Sequence, residues 1–239
     1  MSRTNILIIL VMALLIGRGL GGFNSQRIVG ILLSLPGLLW ALSFHEFCHG
    51  WAAFKLGDRT AAMQGRLTLN PLRHLDPIGT LMLLFFRFGW AKPVMVNTRN
   101  LRNPRRDMAL IALAGPVGNF ISAFVIAIFC GLLARLSPGL LLTRFGLTTF
   151  GMVVVTMMQM NVGLGVFNLI PIPPLDGSKV LSMFLPISAL SAFYFMERWG
   201  FVILMVLLYL GIVGAVMSPF FAAANGFLFW TINLIGGAG

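Results

Sequence analysis

The chain has 239 residues, 58% of them hydrophobic, with a mean hydropathy of +0.93 and charge on only 10% of positions. Soluble domains carry charge on about 25% of their residues, so this composition excludes a soluble globular protein and points to an integral membrane protein of several passes. Seventeen Lys and Arg against six Asp and Glu leave a net charge of +11; ten of the basic residues lie between Lys55 and Arg106 without an aromatic-interleaved groove, which marks a cytoplasmic loop and argues against a nucleic-acid partner.

Apolar segments fall at about 5–17, 28–56, 108–134, 146–169, 199–217 and 219–235. About six transmembrane helices are expected, forming an all-α polytopic protein with a single membrane-embedded domain over 1–239. The first run, behind Arg3, is followed by Gly-Arg-Gly-Leu-Gly-Gly at 17–22 and by no small-residue cleavage site, so it is expected to be a retained helix. If the basic stretch 55–106 is cytoplasmic, the second segment runs inward, the third outward and the fourth inward. The ends of segments two and four then meet on the cytoplasmic side. Between segments two and three, 77–97 contains an apolar run too short to span and a Val-rich stretch, Val94-Met95-Val96-Asn97. It is expected to be re-entrant or interfacial, with a small β-element near 77–97. The stretch 178–198, interrupted at Pro186 and holding Lys179, Glu197 and Arg198, is expected to be interfacial. Cys48 and Cys130 are too few for a disulfide framework and are expected to act as small buried hydrophobes.

One stretch stands out chemically. Leu-Ser-Phe-His-Glu-Phe-Cys-His-Gly at 42–50 places two imidazoles and a carboxylate inside an apolar helix, where ionisable groups are costly and mark functional sites. On a helix, His45 and His49 are one turn apart and about 40° around the axis, so both project from the same face and can bind one metal ion. Zn²⁺ suits imidazole ligands in tetrahedral geometry, and one zinc per chain is expected. Glu46, about 100° from His45, is poorly placed as a ligand and well placed as a general base.

A catalytic zinc site needs a third protein ligand. Asp176 stands in Phe-Asn-Leu-Ile-Pro-Ile-Pro-Pro-Leu-Asp-Gly at 167–177, where three prolines end the fourth segment. Irregular backbone at membrane depth must pack on protein or line a watery cavity, the setting that a ligand and a water substrate require. Asp-Gly is also a common turn dipeptide, so a turn role for Asp176 stays open. His74, in Asn-Pro-Leu-Arg-His-Leu-Asp-Pro at 70–77, is a competing ligand, a possible second-shell partner or an ordinary loop histidine.

The motifs His-Glu-Phe-Cys-His-Gly at 45–50, Leu-Gly-Asp at 56–58, GRLTLNPLRHLDPIGT at 65–80, Gly-Trp-Ala-Lys-Pro-Val at 89–94, Ala-Gly-Pro-Val-Gly-Asn at 114–119 and Asn-Leu-Ile-Pro-Ile-Pro-Pro-Leu-Asp-Gly at 168–177 occur in order. Over about 45–180 the chain resembles the site-2 protease family, and more closely its compact prokaryotic members without a PDZ domain. The resemblance implies an intramembrane zinc endopeptidase with His45, His49 and Asp176 as ligands and Glu46 as catalytic acid and base. It implies that Asn168 contacts the substrate backbone or the developing oxyanion, although a helix-capping role fits that residue equally. Asn119 matches a further family position as a possible second-shell residue. The implied substrate is a transmembrane protein or peptide that presents extended backbone, and the implied location is a bacterial-type plasma membrane with the active site towards the cytoplasm. Competing readings are a metal-ion transporter, a zinc peptidase of the prenyl-protein processing kind, and a non-catalytic metal-binding scaffold. The transporter calls for ionisable residues on several spans, and the second peptidase calls for a later Glu-containing motif, whereas Glu197 stands alone. Nothing in the sequence bears on oligomeric state.

Overall fold

The computed structural model describes residues 25–76, 79, 91–144 and 146–237. The apolar run 5–17 and most of 77–90 lie outside those residues. Helix α1 runs Ser25–Lys55, α2 Pro104–Leu136, α3 Thr149–Asn168, α4 Asp176–Phe184, α5 Leu190–Tyr209 and α6 Ile212–Gly236, with single turns between them. Val29–Lys55 within α1, together with α2, α3 and α6, are the described segments long and apolar enough to cross a bilayer. At 1.5 Å per residue even the 20 residues of α3 cover about 30 Å. The expected all-α membrane fold is therefore the fold observed.

The helix ends follow local chemistry. The Asn103 side chain accepts the Arg106 N–H while the Asp107 carboxylate accepts the Asn103 N–H at 2.9 Å, a reciprocal cap that starts α2 at Pro104. Thr148 Oγ1 accepts the Gly151 N–H at 2.8 Å and opens α3. Pro171, Pro173 and Pro174 follow the end of α3, and the chain resumes helix at Asp176. The Arg105 guanidinium donates to the carbonyls of Ser182 and Leu185, fastening the far end of α4 to the start of α2.

Three boundaries differ from expectation. The two C-terminal segments divide at Gly211, which has φ 76°, and not near Ser218. Pro219 stays inside α6 because a helix packed on its neighbours tolerates the missing N–H, whereas the left-handed backbone at 211 needs a residue without Cβ. The stretch 178–198 is not one interfacial segment: it breaks around Pro186, as expected, but α5 begins at Leu190 and carries Glu197 and Arg198 along its exposed side. The described two-stranded sheet pairs β1, Leu142–Thr143, with β2, Gly146–Leu147, away from the expected 77–97 element. There, among the described residues, an antiparallel bridge joins Leu75 to Ala91, and the Val94 and Asn97 amides donate to the Glu46 and Asp58 carboxylates.

Helices α1, α2 and α3 pack against one another, α6 covers α2 and α3, and α4 lies on α2. Ala123 and Ala127 of α2, Met158, Val162 and Val166 of α3 and Leu228 of α6 form the main apolar core. A second cluster of Ile170, Leu175, Leu204, Met205 and Val213 sits beneath the proline-rich loop and sets its height in the bundle. Phe129 and Leu132 of α2 and Phe227, Trp230 and Leu234 of α6 face outward, as a surface in contact with lipid requires.

Candidate metal centre

The C-terminal half of α1 carries His45, Glu46 and His49, and the proline-ended loop after α3 delivers Asp176 to them as the first residue of α4. His45 Nε2 lies 3.0 Å and His49 Nε2 3.1 Å from Asp176 Oδ2, and the two Nε2 atoms lie 2.9 Å apart. Among the described residues these three form the one cluster of His, Cys, Asp or Glu ligand atoms close enough for a shared metal ion. All three are buried.

The other ring nitrogens are anchored. His49 Nδ1 stands 2.7 Å from the Ile111 carbonyl oxygen, which can only accept, so Nδ1 carries the proton and Nε2 presents a lone pair. His45 Nδ1 stands 2.7 Å from Asn119 Oδ1. Asp176 Oδ2 is buried without a hydrogen-bond donor. Two ring nitrogens and a carboxylate oxygen within 3.1 Å of one another call for a proton or a cation between them, and one Zn²⁺ ion satisfies all three. The donor set therefore fits zinc.

Close helix approach makes this convergence possible. A Cβ at Gly115 would fall 2.5 Å from His49 Nε2 and 2.6 Å from His45 Cε1, so α2 can lie against both rings only with glycine there. The Ala-Gly-Pro-Val-Gly-Asn stretch thus lets α2 pack closely on the face that carries His45 and His49.

Around the centre lies a cavity of about 570 Å³, walled mostly by apolar side chains such as Leu42, Met108, Phe167 and Phe201. Glu46 sits in its wall with His45, and the Glu46 carboxylate accepts the Val94 N–H at 2.8 Å. The Val94 segment is held in turn by Asp58, whose oxygens accept from Asn97 N–H at 2.7 Å, Asn100 Nδ2 at 2.8 Å and Thr60 Oγ1 at 2.5 Å. Burial would raise the Asp58 pKa, but the bonds from Thr60, Asn100 and Asn97 outweigh it and hold the carboxyl below its usual range. Leu-Gly-Asp at 56–58 thereby fixes the loop that touches Glu46.

Asn168 is the last residue of α3 and borders the cavity, its Nδ2 donating to the Leu164 carbonyl at 3.0 Å. Lys179 also borders it, with Nζ 3.9 Å from Asp176 Oδ1. His74 lies outside the cluster, 1% exposed, with Nε2 2.8 Å from the Thr68 carbonyl, where it ties the 68–75 loop together. Asn119 does stand behind His45. Sequence reasoning missed the Ile111 carbonyl and the Val94 amide, since main-chain groups leave no residue-type signal. It also missed Asn161, which contacts Asn119 and whose signal was a lone amide within an apolar helix.

Comparison with known proteins places this geometry in company. The model of Peptidase family M50 matches residues 144–210, which include Asn168 and Asp176. YwhC of Bacillus subtilis (strain 168), named provisionally as a zinc metalloprotease, is 39% identical over 190 residues, covering 79% of this chain and 85% of that protein. Rip2 of Mycolicibacterium smegmatis, named in the same terms, is 32% identical over 188 residues, covering 75% of this chain and 68% of Rip2. The protein MJ0611 of Methanocaldococcus jannaschii, again so named, is 30% identical over 162 residues, covering 66% and 74% of the two chains. No solved structure matches the chain.

Proposed function

The chain belongs to peptidase family M50, the site-2 type of zinc metalloprotease, and from that premise we propose that it cuts peptide bonds in or beside the transmembrane segments of other membrane proteins. His45, His49 and Asp176 hold the zinc ion, and Glu46 is the catalytic acid and base. The observation that carries this reading is the convergence of three ligand atoms, from elements far apart in sequence, in the wall of an apolar cavity that Glu46 shares. Bound zinc supplies Lewis acidity towards a water molecule and the scissile carbonyl.

The chain's own residues do the rest. The Glu46 carboxylate takes a proton from the attacking water and returns it to the departing nitrogen. The Val94 N–H keeps Glu46 oriented while it does so. Asn168, at the cavity's edge, donates to the substrate backbone or to the oxygen on which charge develops. The apolar walls exclude bulk water, which strengthens each of these interactions. Backbone carbonyls within a helix are hydrogen-bonded and covered by side chains, so a substrate helix must unwind before it is cut.

We place the whole chain, 1–239, in one membrane-embedded domain. Its basic stretch 55–106 assigns the metal-centre end to the cytoplasmic side of a bacterial-type plasma membrane. The test is cleavage of a membrane-spanning substrate in proteoliposomes. Glu46→Gln is expected to lower the rate about 10²–10⁴-fold while zinc stays bound. Unchanged cleavage by this variant would remove Glu46 from the mechanism, and cleavage confined to water-soluble substrates would remove the intramembrane assignment.

A further inference from the structure

Asn119 on α2 and Asn161 on α3 are both 0% exposed, inside an otherwise apolar bundle. A buried amide without partners costs on the order of 1–3 kcal/mol or more, so every proton of these two side chains must be accounted for. Asn161 Nδ2 lies 2.9 Å from the Met157 carbonyl. Asn119 Nδ2 lies 3.0 Å from the Ala41 carbonyl and 3.0 Å from Asn161 Oδ1. Asn119 Oδ1 lies 2.7 Å from His45 Nδ1.

The direction of this chain of hydrogen bonds is forced from its ends. Main-chain carbonyls only accept, so each amide must turn its NH₂ group towards Met157 or Ala41. With its nitrogen towards Met157, Asn161 presents its oxygen to Asn119 and receives the second proton of that amide. Both Asn119 protons are then committed, and its oxygen can only accept. The atom facing that oxygen, His45 Nδ1, must carry a proton. In the neutral ring His45 Nε2 then holds the lone pair, aimed at Asp176 and His49. In the reverse orientation Asn119 would donate to Nδ1 and drive the proton onto Nε2, where it blocks a metal ion.

We infer that Asn161 is a positioning residue of the metal centre: together with the Ala41 carbonyl it engages both Asn119 amide protons, which keeps the amide oxygen on His45 Nδ1 and His45 in the tautomer whose Nε2 binds zinc. The inference rests on the zinc reading of His45, His49 and Asp176. Three elements meet in it, with α3 acting on α1 by way of α2. Asn161 touches neither zinc nor substrate, so its effect is on metal affinity and on the imidazole proton.

The test is zinc affinity, measured by chelator competition on the detergent-purified full chain, in a double-mutant cycle. Asn161→Leu keeps the branched shape and heavy-atom count but removes the acceptor, and is expected to weaken zinc up to about 10-fold, the low end of what loss of an outer partner costs at other metal sites. Asn161→Asp still offers an oxygen to Asn119 and is expected to keep affinity within a few-fold of wild type. In an Asn119→Asp background both oxygens accept, the orientation ceases to matter, and Asn161→Leu should add no further loss. Equal zinc affinity in wild type and Asn161→Leu, or the same loss in both backgrounds, overturns the inference while leaving the zinc reading intact. Wild type that binds no zinc overturns both. A measurement independent of variant folding is ¹⁵N NMR of the zinc-loaded wild type, tractable with three histidines. The expected result is a protonated Nδ1 and a metal-bound Nε2 on His45, and metal bound through Nδ1 contradicts the inference.

Discussion

The two halves of α2 carry one stripe of residues at four-residue spacing and use it for different ends. Ile111, Gly115 and Asn119 lie against His49 and His45, whereas Ala123, Ala127 and Gly131 continue the buried stripe into apolar packing with α3 and α6. Each four-residue step advances about 40°, so the stripe winds around the helix and meets different neighbours at its two ends. What separates the halves is whether the partner needs a hydrogen bond: the first supplies a carbonyl, a gap and an amide oxygen to two imidazoles, and the second supplies only small volume. The same helix geometry thus builds a chemical centre at one end and a dry core at the other, and substitutions along the stripe should divide the same way.

The largest expected effect is at Gly115. Gly115→Ala places a methyl 2.5 Å from His49 Nε2, and displacing the rings by about 1 Å should cost at least about 10²-fold in cleavage and strip zinc from the folded protein. Normal zinc content in that variant would break the comparison. Met158→Ala, on α3 against the apolar half of α2 and fully buried, is expected to lower stability by about 2–5 kcal/mol, read as an earlier thermal unfolding midpoint, with zinc per folded chain unchanged. Gly131→Ala, whose Cβ would meet Ile235 Cβ at 2.7 Å, is expected to cost about 1–3 kcal/mol and likewise leave zinc in place.

The smallest effect is pH-dependent and concerns Asp58. Its folded pKa is depressed, so its hydrogen bonds stabilise fully above the ordinary carboxylate pKa of about 4 and are lost as pH falls through the lower folded value. Asp58→Asn should therefore be about 1–3 kcal/mol less stable at neutral pH. The gap to wild type should narrow on acidification below about pH 4, and a gap that widens there would contradict the assignment.

Much of the centre was legible because helix geometry is rigid. His45 and His49 at i and i+4 could point only one way, and Pro171, Pro173 and Pro174 could only end a helix, so the approach of Asp176 followed from topology. The missed features are those in which tertiary context decides. Ser218-Pro219 looks like a helix break, yet the turn occurs at Gly211 because packing holds α6 through its proline. The Val-rich run 94–97 suggests a strand, yet its Val94 and Asn97 amides are taken by Glu46 and Asp58. Of the roles left open for His74, the described contact is one within its loop, with Nε2 2.8 Å from the Thr68 carbonyl. Asn161 was visible as a polar residue among apolar ones, but its partner on another helix was not.

The most direct test of the central claim is a zinc count by atomic absorption on freshly purified wild type and on His45→Ala, His49→Ala, Asp176→Ala and His74→Ala. The account predicts about one zinc per chain in wild type and His74→Ala, and none in the other three. Zinc retained in Asp176→Ala and lost from His74→Ala would contradict it and move the third ligand to the 68–75 loop.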